Sequence, residues 1–169
     1  MTNNDVLRRL RYALELDNLS LLACFRESDA AIEPAQLAAL LKSEEEEGFA
    51  LLSDELLGQF LDGFVALKRG RQPPPPGFVL DENGRKTAHA VVDLSNNRIL
   101  RALKIALELK DVDMLAIMEL ASTPITKTEL SALFRREDHR NYQPCGNQFL
   151  RNFLKGLGTW HRKGQARSV

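Results

Sequence analysis

Residues 3–16 read NNDVLRRLRYALEL, and residues 96–109 read NNRILRALKIALEL. The two stretches stand 93 positions apart, and the register continues without a gap. Leu22-Ala23 meets Leu115-Ala116, Ile32 meets Ile125, Leu37 meets Leu130, and Ala39-Leu40 meets Ala132-Leu133. Further on, Glu44 meets Glu137, Phe60-Leu61 meets Phe153-Leu154, and Gly63 meets Gly156. Similarity held at one fixed spacing over so many positions marks a tandem duplication, which has to be read before any local pattern.

Within each copy the apolar residues recur with a helical period. Val6, Leu7, Leu10, Ala13 and Leu14 follow the i, i+3, i+4, i+7 rule, as do Ile99, Leu100, Leu103, Ala106 and Leu107. A second, short helix is expected over residues 19–25 and 112–118. The third begins after Ile32 or Ile125: Pro34 suits a first helical turn, and Thr126 with Glu129 makes a capping-box pattern. A fourth is expected over about residues 53–68 and 147–160. The fold class is therefore all-α, two tandem pseudo-symmetric repeats of about four helices each. Repeat 1 is assigned to residues 1–70 and repeat 2 to residues 96–169. The segment 71–95 between them opens with four prolines, which cannot continue a helix. Asn83-Gly84 then stands between short strand-like runs, a signal for a small hairpin, with an irregular linker as the alternative.

At 169 residues and 44% hydrophobic content the chain is of globular type, with 23 basic and 23 acidic side chains. Its apolar runs, such as residues 19–25 and 37–41, fall far short of the roughly 20 residues a membrane span requires. The start, MTNNDVLRRL, lacks the apolar core of a signal peptide. Two cysteines, Cys24 and Cys145, form neither a disulfide framework nor a zinc pattern. A cytoplasmic protein without membrane association is the expectation.

The neutral total conceals an asymmetry. Residues 1–70 hold 13 acids against 7 bases, and residues 96–169 hold 13 bases against 7 acids. One expectation is that the two copies attract each other, within a chain or between chains. The other is that the basic copy meets nucleic acid or another polyanion. Adjacent acids such as Glu44 to Glu47 are spread around a helix axis, so that run reads as a solvated helix end.

The stretch LFRREDHRNYQPCGNQFLRNFLKG, residues 133–156, concentrates the reactive side chains. Cys145 near a helix start with His139 as base and Asp138 behind it would make a thiol enzyme. Their counterparts in repeat 1 are Leu52, Glu46 and Glu45, and no nucleophile motif surrounds the cysteine. Asp138, His139, Cys145 and His161 match no common zinc spacing, so neither a metal nor a catalytic set is assigned. A third helix followed by a fourth resembles a helix-turn-helix frame presenting Asn147, Arg151, Asn152, Lys155 and Arg162 to DNA, although residues 137–146 are long for its turn. The matching helix of repeat 1 carries Asp54, Gln59 and Asp62, so only repeat 2 would touch nucleic acid.

Residues shared by the copies form a separate set. Arg8/Arg101 and Arg11/Lys104 share one helix face, with Glu15/Glu108 four residues past the second pair for an i,i+4 contact. Phe49/Tyr142 reads as a ring covering the bundle, and Glu44/Glu137 as an acceptor for backbone groups at the third helix's end. Were both copies to share a binding surface, Arg8, Arg11, Arg101, Lys104, Glu44 and Glu137 would line it.

The doubled NN-x-(I/V)-L-R-x-L-(R/K)-x-ALEL pattern, the acidic helix–loop segment and the aromatic-ended FL-x-G helix resemble the YehS-like bacterial family. This is a domain of unknown function that occurs as two tandem copies. The stretches LRRLRYALEL and CGNQFLRNFLKGL carry the resemblance, which spans nearly the whole chain apart from the linker and the last residues. It implies a small helical bacterial protein and supplies no activity, cofactor or catalytic residue. The sequence thus points to a non-enzymatic module, without cofactor, that binds a protein partner or itself. Nucleic-acid binding through repeat 2 is the alternative, and a cysteine-dependent enzyme the third reading.

Overall fold

The computed structural model describes residues 1–70 and 94–166, with the backbone alone for residues 165 and 166. The hairpin expected within residues 71–93 lies outside the described residues. Among those described, every regular element is a helix: α1 (Asn3–Ala13), α2 (Asn18–Glu27), α3 (Pro34–Leu41) and α4 (Asp54–Arg69) form repeat 1. α5 (Asn96–Ala106), α6 (Asp111–Leu120), α7 (Lys127–Leu133) and α8 (Asn147–Ala166) form repeat 2.

Helix ends follow from local chemistry, some of it particular to one copy and some repeated in both. The Ser53 hydroxyl accepts from Leu56 N–H at 3.2 Å at the start of α4, and Thr126 Oγ1 accepts from Glu129 N–H at 3.2 Å at the start of α7. The Glu129 carboxylate returns the contact to Thr126 N–H at 2.7 Å, which completes the capping box. α1 stops because Glu15 turns into the left-handed region at φ 52°, letting Leu16 N–H reach back to Arg11 carbonyl at 2.9 Å. Glu108 does the same after α5 at φ 54°, with Leu109 N–H donating to Lys104 carbonyl at 3.0 Å. Both glutamates thus stand beyond their helix, off the i,i+4 register that pairs Arg11 with Glu15.

Two asparagines that the apolar periodicity passes over lock each repeat. Asn4 is completely buried; its side-chain amide donates to the carbonyls of Leu40 and Ala50, each at 2.8 Å. Its Oδ1 accepts from Leu52 N–H at 3.0 Å. Asn97 repeats all three bonds with Leu133 carbonyl (2.8 Å), Gln143 carbonyl (2.9 Å) and Cys145 N–H (2.7 Å). One side chain therefore pins the end of the third helix and the loop after it to the first helix. It satisfies backbone groups that would otherwise be buried unpaired. The preceding Asn3 and Asn96 tie the same loops, to Leu52 carbonyl at 3.1 Å and Cys145 carbonyl at 2.9 Å.

Within repeat 1, α4 crosses α2 closely enough that a Cβ on Gly63 would lie 1.7 Å from the Cys24 carbonyl oxygen. In repeat 2 a Cβ on Gly156 would lie 2.0 Å from that of Ile117. This close approach is why the FL-x-G element is written into both copies. Phe60 fills the adjoining space with its ring 5.2 Å from that of Phe25.

Between repeats the last helix of one packs along the first helix of the other, α4 on α5 and α8 on α1. These contacts are far more extensive than α1 with α4 or α5 with α8 inside a repeat. Val6, Leu7, Leu10, Leu61, Phe64, Ile99, Leu103, Leu154 and Leu157 belong to one apolar core running through both copies. The repeats are thus joined by hydrophobic burial, which the amphipathic first helices demand. The net charges of the copies do not dictate this joint: the Arg69–Glu108 ion pair crosses it with its base on the acidic repeat.

Candidate anion-binding groove

The packing of α8 beside α1 brings together side chains more than 140 positions apart in sequence. α1 contributes Arg8, Arg9, Arg11 and Tyr12, and α8 contributes Lys155, Gly158, Thr159 and Arg162. They line two adjoining hollows of about 660 and 540 Å³ that share Arg8, Tyr12 and Arg162. Leu154 and the glycine backbone form part of the floor, both buried. Arg9, Arg11, Lys155 and Arg162 are exposed along the rim.

Tyr12 is 75% exposed, and the Arg162 guanidinium sits over its ring, 5.6 Å from the centroid. That is within the range of a cation–π contact and leaves the ring's other face to solvent. Arg8 is held rather than free: it donates to Lys42 carbonyl and pairs with Asp5 at 2.6 Å. Asp5 is correspondingly held below its ordinary pKa, first by the Arg8 hydrogen bond and also by the charges of Arg8, Arg9 and Arg151. The acids Glu15 and Asp17 stand at the end of the groove beyond α1.

The duplication supplies an internal comparison at the junction of α5 with α4. There Arg9, Tyr12, Lys155, Gly158 and Thr159 are replaced by Ala102, Ile105, Asp62, Val65 and Ala66. Arg69, the counterpart of Arg162, pairs with Glu108. At α1/α8 the matching arginine lies over Tyr12 instead. One junction is the more basic and is aromatic, with Gly158 letting α8 approach Ala13 of α1 closely; the other carries an acid, an aliphatic residue and an ion pair.

Residues expected to meet nucleic acid divide into two sets. Arg151, half-buried beside Asp5, Lys155 and Arg162 belong to the α1/α8 face. Asn147 accepts from Asn96 Nδ2 at 2.9 Å, a contact between α8 and α5, and Asn152 accepts from Gln148 Nε2 at 2.9 Å within α8; neither lines the groove hollows. The helix-turn-helix frame does not form as such. Residues 134–146 separate α7 from α8, where that motif uses a turn of about three or four residues. Nor does repeat 2 hold the basic face alone, since α1 of the acidic repeat supplies half of it.

Of the residues shared by both copies, Arg8 and Arg101 bond the end of the third helix, Arg101 Nη2 donating to Phe134 carbonyl at 2.7 Å. Lys104 pairs with Asp111 at 2.6 Å and lies over the Phe134 ring at 4.6 Å. Of that set only Arg8 and Arg11 line the groove, Arg8 held by its bonds and Arg11 exposed at the rim. Glu44 and Glu137 are exposed; the acid that caps backbone there is Glu46, accepting from Ser43 N–H at 2.7 Å. Its counterpart His139 instead accepts from Asn141 N–H through Nδ1 at 3.1 Å. Phe49 and Tyr142 are half-buried, as covering rings should be.

Cys145 is 6% exposed, its thiol pushed up to about 12 by burial, while His139 is exposed on the loop. A thiolate nucleophile is opposed by that environment. Among the described residues no three His, Cys, Asp or Glu side chains gather as a metal set, and no helix is long and apolar enough to cross a membrane.

A helical protein built from two tandem copies defines the class. The chain belongs to the family described as "Protein of unknown function (DUF1456)", which matches residues 3–70 and 96–163, one match per repeat. It is 36% identical over 159 residues to the "Uncharacterized protein YehS" of Escherichia coli (strain K12), spanning 94% of this chain and 96% of that protein. No solved structure matches.

Proposed function

We propose that the protein is a non-enzymatic binding module of the bacterial cytoplasm whose partner is anionic and docks in the α1/α8 groove. The observation that carries this reading is the convergence of Arg9, Arg11, Lys155 and Arg162 on two adjoining hollows, from two helices far apart in sequence. Cations lining a concave surface focus the field and attract a polyanion, and binding of this kind weakens steeply with salt. The test is a titration of inorganic polyphosphate at several salt concentrations. An Arg11→Glu/Lys155→Glu/Arg162→Glu variant loses binding, while Arg136→Glu/Arg140→Glu on the exposed α7–α8 loop retains it. Equal binding by wild type and the groove variant overturns the reading.

Self-association is a second reading, favoured by Leu19 and Val112. These occupy matching positions at the starts of α2 and α6 and are 75% and 67% exposed. Sedimentation velocity across a hundredfold concentration range tests it: a constant monomer rejects it, and a dimer lost in Leu19→Asp/Val112→Asp supports it.

A further inference from the structure

We infer that the groove's ligand is a single-stranded nucleic acid, with Tyr12 as the platform on which a base stacks. This rests on the anionic-partner reading above and deepens it. A groove serving charge alone needs no aromatic side chain, yet Tyr12 stands at its centre, common to both hollows and 75% exposed. A large ring left in water is unfavourable unless something covers it, and here the cover is half supplied by the Arg162 guanidinium. An exposed ring flanked by arginines that track a phosphate chain is the physical arrangement by which proteins hold unpaired strands.

The duplication sharpens the point. At the sister junction the ring is Ile105, the glycine is Val65, the lysine is Asp62, and the arginine is engaged with Glu108. The ring and the two further cations, Arg9 and Lys155, are therefore present together on one side and absent together on the other. A duplex fits less well. In a duplex the bases are already paired and stacked, which leaves no free base face for Tyr12 to cover. An acidic peptide would use the cations but gain nothing from a stacking face.

The experiment is fluorescence anisotropy with a labelled single-stranded dT oligonucleotide of about 12 nucleotides. Its duplex, inorganic polyphosphate and a poly-Glu peptide serve as competitors, on wild type, Tyr12→Phe, Tyr12→Ala and Arg162→Gln. The expected result is preference for the single strand, retention in Tyr12→Phe, and roughly tenfold or greater loss in Tyr12→Ala, as for one base–ring stack. Arg162→Gln weakens binding and flattens its salt dependence. Because Tyr12 is exposed, these variants leave the core untouched. If Tyr12→Ala binds as wild type, or if duplex, polyphosphate or peptide binds as well as the strand, the stacking inference is overturned while the anionic groove stands. Failure of every polyanion to bind overturns both.

Discussion

Alanine at Gly63 and alanine at Gly58, one and a half turns apart on α4, should shift stability in opposite directions. Both replace glycine inside a helix, where alanine is favoured by about 1 kcal/mol through backbone entropy. At Gly58 a new Cβ meets nothing within 4 Å, so that gain should be realised as roughly 0.5–1 kcal/mol of stabilisation. At Gly63 the same Cβ would lie 1.7 Å from the Cys24 carbonyl oxygen, 2.7 Å from its carbon and 3.3 Å from its Cα. The obstacle is main chain of α2, which has no rotamer to change. α4 must therefore withdraw by about 1.5 Å to restore ordinary contact, loosening Phe60 against Phe25. Overpacking of this kind costs about 1–3 kcal/mol or more, and backbone-to-backbone collision places it at the upper end. The net expectation for Gly63→Ala is a loss of about 2–3 kcal/mol. Gly156→Ala should show the same, because its Cβ would lie 2.0 Å from the Ile117 carbonyl. Urea unfolding followed by circular dichroism measures all three variants as midpoint shifts at constant slope. A Gly63→Ala protein as stable as wild type would refute the close-crossing explanation for the repeated glycine.

Three other outcomes follow from the scaffold and the buried groups. Asn97→Ala strands the Leu133 and Gln143 carbonyls and the Cys145 amide, and should cost about 3 kcal/mol. A loss below about 1 kcal/mol would show that the network is dispensable. Cys24 and Cys145, 2% and 6% exposed with thiols raised to about 11 and about 12, should resist a thiol reagent at pH 8 until denaturant is added. Fast labelling of native Cys145 would reopen the thiol reading. Glu46 and Glu129 have lowered pKa values, set chiefly by the Ser43 and Thr126 backbone amides, and Asp5 is lowered chiefly by Arg8. A depressed carboxylate stabilises the fold fully above its unfolded value. Stability should therefore hold at neutral pH and fall as pH drops from about 4.5 through the lower folded values, with Glu129→Gln flattening that acid limb.

Much of the fold was legible because its causes are local. Period-3.6 apolar residues, Pro34, the Thr126–Glu129 box and the 93-residue offset each act over a few positions or by simple repetition, and the eight helices of the described residues follow from them. Asn4 and Asn97 had a signal as well, being the same polar residue repeated beside an apolar face. Reading it required knowing which loop returns to them, and that is a matter of tertiary contact. The candidate site was legible only in part. Lys155, Arg162 and Arg11 stood out as charges, whereas Arg9, Tyr12 and Gly158 gave no sign of belonging with them.

What the sequence determined by itself was an all-helical chain written twice, with glycine fixed at one place in each copy and charge divided between the copies. What only the tertiary structure decided was which helix lies beside which. Apolar faces carry no address, since a hydrophobic stripe is satisfied by any matching stripe. The choice of α8 for α1, across the repeats rather than within one, comes from shape and close packing of the whole core. That choice places the arginines of the acidic repeat beside those of the basic one, and it creates the groove.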